Sequence, residues 1–154
     1  MRKNSITVVA IFLFLFFFSF SQARAQGIDI DVRGGLYTKN SDFFLGGGLK
    51  LDLIMFEILP NIEYAFVDNA TLYTLNLDGN FKFFSAPFVR AWIGGGLGTM
   101  RFKPEGGSTS GKALVNILGG VGLNAIVLKP YAQIKYIIVK DLSNQFVVSV
   151  GVHL

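Results

Sequence analysis

Residues able to do chemistry are few in this chain: one histidine, His153, no cysteine, scattered serines and ten carboxylates. A zinc centre draws three or four ligands mostly from histidine and cysteine, so a structural or catalytic zinc is excluded. A nucleophilic hydrolase needs a serine, a histidine and an orienting acid within reach of one another. Ser149 precedes His153 by four residues, and on a strand that spacing is roughly 13 Å at ~3.3 Å per residue. The two cannot pair, and His153 reads as a structural histidine. The glycine run "GGGLGTM" has Thr99 where a dinucleotide loop has its third glycine, and no helical pattern follows it. Asp29 and Asp31 share a strand face but bring none of the further oxygen ligands that a cation needs. No catalytic residue, metal ligand or cofactor is expected, and the chain reads as a non-enzyme.

What remains is charge arranged with a period of two. Arg33, Lys50, Asp52, Glu57, Glu63, Asp78, Lys82, Arg90 and Lys135, together with Asp29 and Asp31, lie on the polar side of segments whose alternate residues are apolar. Acids and bases nearly balance in this set. Burying a charge is costly unless it is paired, so near-neutrality is what a filled polar interior requires. These residues are expected to interlock, with Arg33, Lys50, Glu63, Asp78 and Lys135 near mid-height.

Eight alternating segments position them. Ile28, Ile30, Val32 and Leu36 oppose Asp29, Asp31 and Arg33, and Leu45, Leu49, Leu51 and Leu53 oppose Lys50 and Asp52. Further on, Ile58, Ile62, Tyr64 and Phe66 face away from Glu57, Asn61 and Glu63, and Tyr73, Leu75, Leu77, Phe81 and Phe83 from Thr74, Asn76, Asp78, Asn80 and Lys82. The pattern continues around Val89 to Leu97, Val115 to Leu123 and Ala132 to Ile138, and ends in "FVVSVGVHL". No segment repeats apolar residues at three and four over successive turns, so no helix is expected in this part of the chain. Short breaks at Ile54 to Met55, Ser85 to Pro87 and Ala125 to Lys129 alternate with breaks at Thr38 to Asp42, Val67 to Ala70, Met100 to Lys112 and Lys140 to Gln145. All but the second of the latter are longer and more polar. An even number of antiparallel strands joined in this way is the organisation of a membrane barrel.

The first 25 residues are of another kind. Arg2 and Lys3 precede an uncharged apolar stretch from about Ile6 to Phe20, and Ala23-Arg24-Ala25 follows as a cleavage signal. The stretch is shorter than the ~20 residues of a spanning helix, so residues 1–25 read as a secretory signal peptide and 26–154 as the mature domain. Of the 14 basic residues, Arg2, Lys3 and Arg24 fall in this leader, which leaves 11 against 10 acidic ones. No basic stripe remains to neutralise nucleic-acid phosphates.

Only 16% of the whole chain is charged, against roughly 25% in an ordinary soluble domain, too little for a wet surface. The polar face is also unlike a solvated one. It carries Gly46, Gly48, Gly94, Gly96, Gly98, Gly120, Gly122 and Gly151, which suits a crowded lumen. Phe56, Phe81, Phe83, Phe84 and Phe88 gather near the short turns, and Phe43, Tyr64, Phe66 and Tyr73 near the opposite end, as two aromatic girdles would.

On these residues, the chain resembles the bacterial outer-membrane β-barrel family of the small eight-stranded OmpA/OmpX type, over residues 27–154. The resemblance implies an all-β, eight-stranded antiparallel up-and-down transmembrane barrel in the outer membrane of a Gram-negative cell. Its partners would be outer-membrane lipid, periplasmic chaperones and the barrel-insertion machinery, with oligomeric state left open. That machinery would read Phe146, Val148, Val150, Val152 and Leu154, where Leu154 replaces the usual terminal aromatic. A structural or surface-contact role with a plugged polar lumen is expected, the loop from Met100 to Lys112 making any external contact. A narrow channel for small solutes and a secreted soluble lipocalin-like barrel around an apolar ligand are the alternatives.

Overall fold

A computed structural model describes residues 27–124 and 128–154; the expected signal peptide lies outside the described residues. Alternation is obeyed almost residue by residue. Strands β1 (Gly27–Tyr37), β2 (Asp42–Leu53), β3 (Phe56–Val67), β4 (Ala70–Ser85), β5 (Val89–Pro104), β6 (Ser110–Leu123), β7 (Lys129–Val139) and β8 (Gln145–His153) follow in order. Each pairs antiparallel with its sequence neighbours, and β1 pairs with β8, so the sheet closes as an up-and-down barrel with no edge. No helix occurs among the described residues.

Closure is carried to the last residue. Asp31 lies opposite His153 and Tyr37 opposite Val147, and the Leu154 amide and carbonyl exchange 2.9 Å hydrogen bonds with Ile30. Both ends of the described barrel therefore sit at the end that holds the β2–β3, β4–β5 and β6–β7 turns, here the inner end. The four remaining loops form the outer end.

Two boundaries differ from the sequence pattern. The break expected from Met100 to Lys112 shrinks to residues 105–109, because Arg101 to Pro104 stay paired with Tyr73 to Ala70, and Ser110 with Phe102. Local polarity ended the pattern there, but the ladder continues. Outer loops turn with left-handed residues at Ser41, Asn69, Gly106 and Asp141, and Asn, Asp and Gly are the types that adopt such φ most cheaply.

Candidate functional site

Eight strands enclose a space just wide enough to be filled by side chains, and here inward glycines decide which ones. On β5, Gly94, Gly96 and Gly98 lie opposite Asn80, Asp78 and Asn76 of β4. A Cβ at any of them would strike the side-chain oxygen of its opposite residue. Gly120 yields to the Trp92 ring, and a Cβ at Gly151 would sit 2.6 Å from the Tyr131 hydroxyl. Each of these inward side chains is thus matched by a missing one on the next strand.

The space so made holds a continuous polar chain, two runs of ion pairs joined through His153. Near mid-height, Glu63 accepts from Lys135 Nζ at 2.6 Å and lies 3.5 Å from the Arg33 guanidinium, while Tyr37 and Thr74 hydroxyls reach its other oxygen at 3.3 and 3.4 Å. Arg33 Nε binds Asp31 at 2.6 Å. The other Asp31 oxygen takes the Tyr131 hydroxyl at 2.6 Å and His153 Nε2 at 3.1 Å. His153 Nδ1 meets Arg90, which binds Glu57 at 3.1 Å. Lys50 lies 3.7 Å from Glu57 and pairs with Asp29 at 2.8 Å and Asp52 at 3.3 Å; Lys82 pairs with Asp52, and Lys129 with Asp29 at 2.8 Å. Arg90 also stands 5.2 Å from the Trp92 ring centre, and His153 stacks on Tyr131 with centroids 4.5 Å apart.

Three features depart from the sequence reading. Asp78 lies in the lumen but pairs with no cation among the described residues; Asn61 and Asn116 donate to its two oxygens at 2.9 Å each. Asn76 extends this amide ladder to Asn61 and Thr74. Lys50 sits three residues from the inner end of β2, below mid-height, because its register partner is Asp29 near the start of β1. Most consequentially, the inward face is polar only in its inner and middle parts. At the outer end Tyr37, Phe44, Ala65, Leu72, Met100, Leu114, Ile137, Val139 and Val147 pack together as an apolar layer inside the lumen.

Sequence reasoning missed Lys129, which shares the inward parity of Tyr131, Gln133 and Lys135 and could have been found from it. With Lys129 the lumen holds six carboxylates (Asp29, Asp31, Asp52, Glu57, Glu63, Asp78) and six cations (Arg33, Lys50, Lys82, Arg90, Lys129, Lys135). Counted with Asp78, which stands outside the chain of pairs, the lumen is neutral when His153 is uncharged. Ser149 and His153 stay apart, the Ser149 hydroxyl donating to the Gln133 carbonyl at 3.4 Å, and no group of acids and histidine among the described residues is arranged to hold a metal ion.

The apolar face is the outside. Ile28 and Leu97 are each 66% exposed and Val150 64%, whereas Lys50 and Asp31 are at 0%. The soluble lipocalin-like alternative needs the opposite arrangement, with the apolar face lining a ligand cavity, and the strand register turns that face outward. The barrel aligns over 82% of this chain with 94% of the N-terminal β-barrel domain of Pseudomonas aeruginosa OprF, at a TM-score of 0.70 and 14% identity. This chain has the fold of the small eight-stranded outer-membrane barrels. Neisserial surface protein A is similar to this barrel at a TM-score of 0.62 and 15% identity, over 82% of this chain and 93% of that one. The de novo designed TMB2.3 is similar at 0.50 and 14%, over 82% and 90%. No family model and no curated protein sequence matches the chain.

In this outer-membrane-type barrel the aromatic girdles expected from sequence are in place on the outward face. Phe56, Phe81, Phe83, Phe84 and Phe88 are exposed near the inner end, and Phe43, Tyr64 and Phe66 near the outer one. Phe43 stacks on Phe66 with centroids 5.9 Å apart, and Tyr64 meets Phe66 edge-on at 5.2 Å.

Proposed function

We propose that this chain is an exported, non-enzymatic barrel of the Gram-negative outer membrane whose lumen is closed to solutes, acting in envelope integrity or surface contact. The observation that carries the reading is the inversion of the barrel: apolar side chains outside, and inside a neutral set of charges in which all but Asp78 are in ion pairs. Hydrocarbon covers such an outside at no desolvation cost, whereas water would leave a large apolar surface exposed. The inner end faces the periplasm, and Phe146, Val148, Val150 and Val152 on β8, with Leu154 just after it, serve as the segment read by the insertion machinery after delivery by periplasmic chaperones. A barrel fold by itself fixes no role, and one similar barrel was designed de novo.

Two experiments test the membrane reading. The mature protein should fractionate with the outer membrane and, after detergent extraction, migrate differently on a gel when boiled and unboiled; recovery from the soluble fraction with no shift would sink it. Leu97→Arg places a charge on the outward face at a strongly exposed position. In lipid it is expected to cost about 2–4 kcal/mol of unfolding free energy, measured by urea titration in vesicles. A water-facing site would absorb the same change within about 0.5 kcal/mol.

Closure of the lumen rests on the ion-pair chain and on the apolar layer above it. Purified protein in planar bilayers is expected to give no stepwise conductance. Reproducible single-channel steps would instead favour the narrow-channel alternative.

A further inference from the structure

Charge on the outward face is confined to one place. Among the described residues, the outward sides of all eight strands carry two charged side chains, Arg101 and Lys103, both basic and both on the outer end of β5. Every other charged strand residue follows the inward parity. A barrel needing only to be soluble at its outer rim has no reason to put its two outward charges side by side with one sign.

Their surroundings are those of a membrane interface. Arg101 lies opposite Tyr73, which lies opposite Tyr64 on β3. On its other side Arg101 faces Gly111, which has no side chain to crowd it. Lys103 lies opposite Thr71, itself opposite Phe66, one step further out. Tyrosines mark the level where hydrocarbon gives way to headgroups, so the two cations sit at and roughly 7 Å beyond that level, at ~3.3 Å of rise per residue. Both side chains are exposed, and neither pairs with an acid within 4.0 Å among the described residues. Beside Lys103 the outer rim holds a recess of about 490 Å³, whose lining includes Asn69, Thr71, Lys103, Glu105 and Gly106. It is mostly polar, in contrast to the apolar flank below it. Glu105 is the one anion there.

We propose that Arg101 and Lys103 form a binding site for the phosphate group of an anionic lipid in the outer-facing leaflet. The guanidinium fork of Arg101 suits bidentate contact with phosphate oxygens, Lys103 supplies a second point charge, and the recess accommodates the rest of the headgroup. The aliphatic stems of both residues lie along apolar surface while their charged ends reach the headgroup layer. This site rests on the membrane reading given above.

The test is lipid retention by the mature barrel, inserted into phosphatidylcholine vesicles with and without phosphatidylglycerol, extracted mildly and assayed for bound lipid by native mass spectrometry. A basic residue near an anionic surface gains about 1 kcal/mol, so two correspond to a preference for phosphatidylglycerol of roughly 25-fold. The double variant Arg101→Gln/Lys103→Gln is expected to lose that preference, and Lys39→Gln/Lys140→Gln, which removes bases from the outer loops, to keep it. An unchanged preference in the first variant overturns the site, as does no preference in the unaltered protein. Displacement of the lipid by excess inorganic phosphate would reassign it as a free-anion site and overturn the lipid assignment. Heat-dependent gel mobility in pure phosphatidylcholine reports insertion separately. Failure there overturns the membrane reading together with the site, whereas an inserted barrel without lipid preference overturns the site alone.

Discussion

Glu63→Ala is expected to lower the unfolding free energy of the barrel by about 3–5 kcal/mol, the cost of leaving buried charges without their partner. Glu63 is 1% exposed and holds both Lys135 and Arg33, themselves 1% and 2% exposed. Removing its carboxylate strands Lys135, which pairs with no other acid within 4.0 Å among the described residues, and leaves Arg33 with Asp31 alone. It also takes the acceptor from the Tyr37 and Thr74 hydroxyls. Urea titration in vesicles, followed by heat-dependent gel mobility, reads the loss. Truncation alone would mix charge with packing, so the pairing is isolated by a cycle of Glu63→Gln, Lys135→Met and the double variant. A coupling of about 0.5–3 kcal/mol is expected for side chains in direct contact. Additive effects would mean that the 2.6 Å pair contributes nothing specific.

How far the lumen was legible from sequence follows from what alternation encodes. Period two states which side of a strand a residue occupies, and so it placed Arg33, Glu63, Lys82, Arg90 and Lys135 inward without any knowledge of register. It does not state height. Lys50 was expected at mid-height and lies nearer the inner end, because height depends on the pairing of Lys50 with Asp29 and on the tilt of the closed sheet. Nor does it name partners. Asp78 looked like one more member of an ion-pair set, and only the register of β3, β4 and β6 brings Asn61 and Asn116 to its oxygens in place of a cation.

The apolar layer at the outer end was hidden for a related reason. Leu72 and Leu114 share the inward parity of Asn76 and Asn116, and Tyr37 and Phe44 that of Arg33 and Lys50. Apolar residues at polar-parity positions read as lapses in a pattern when strands are taken one at a time. Closure brings the lapses of different strands to one level, where Tyr37, Phe44, Leu72, Met100, Leu114 and Ile137 become a single packed layer. The same limit applied to the β5–β6 loop. Arg101 to Pro104 lack an apolar alternation, and it is the neighbouring ladder that keeps them extended.

Gly96→Val should prevent the barrel from closing at its middle, with a loss of about 3 kcal/mol or more, at the upper end of what overpacking costs. A Cβ at Gly96 would overlap an Asp78 carboxylate oxygen and lie 2.7 Å from the Leu77 carbonyl. The backbone carbonyl cannot swing away without breaking the β4–β5 ladder. Asp78 cannot move without releasing Asn61 and Asn116, which have no other carboxylate to bind. Gly79→Val is the matched control. Gly79 faces outward, and its nearest neighbour for a Cβ is the Gly95 carbonyl at 3.8 Å, ordinary contact distance. That variant is expected to keep the heat-dependent mobility of the parent protein and its urea midpoint. Similar losses in the two variants would mean that glycine serves strand bending at both sites and that the fit between β5 glycines and β4 side chains has no special weight. A loss confined to Gly96 would assign the glycine run of β5 to the lumen, as the absent side chains that let Asn76, Asp78 and Asn80 lie across the barrel.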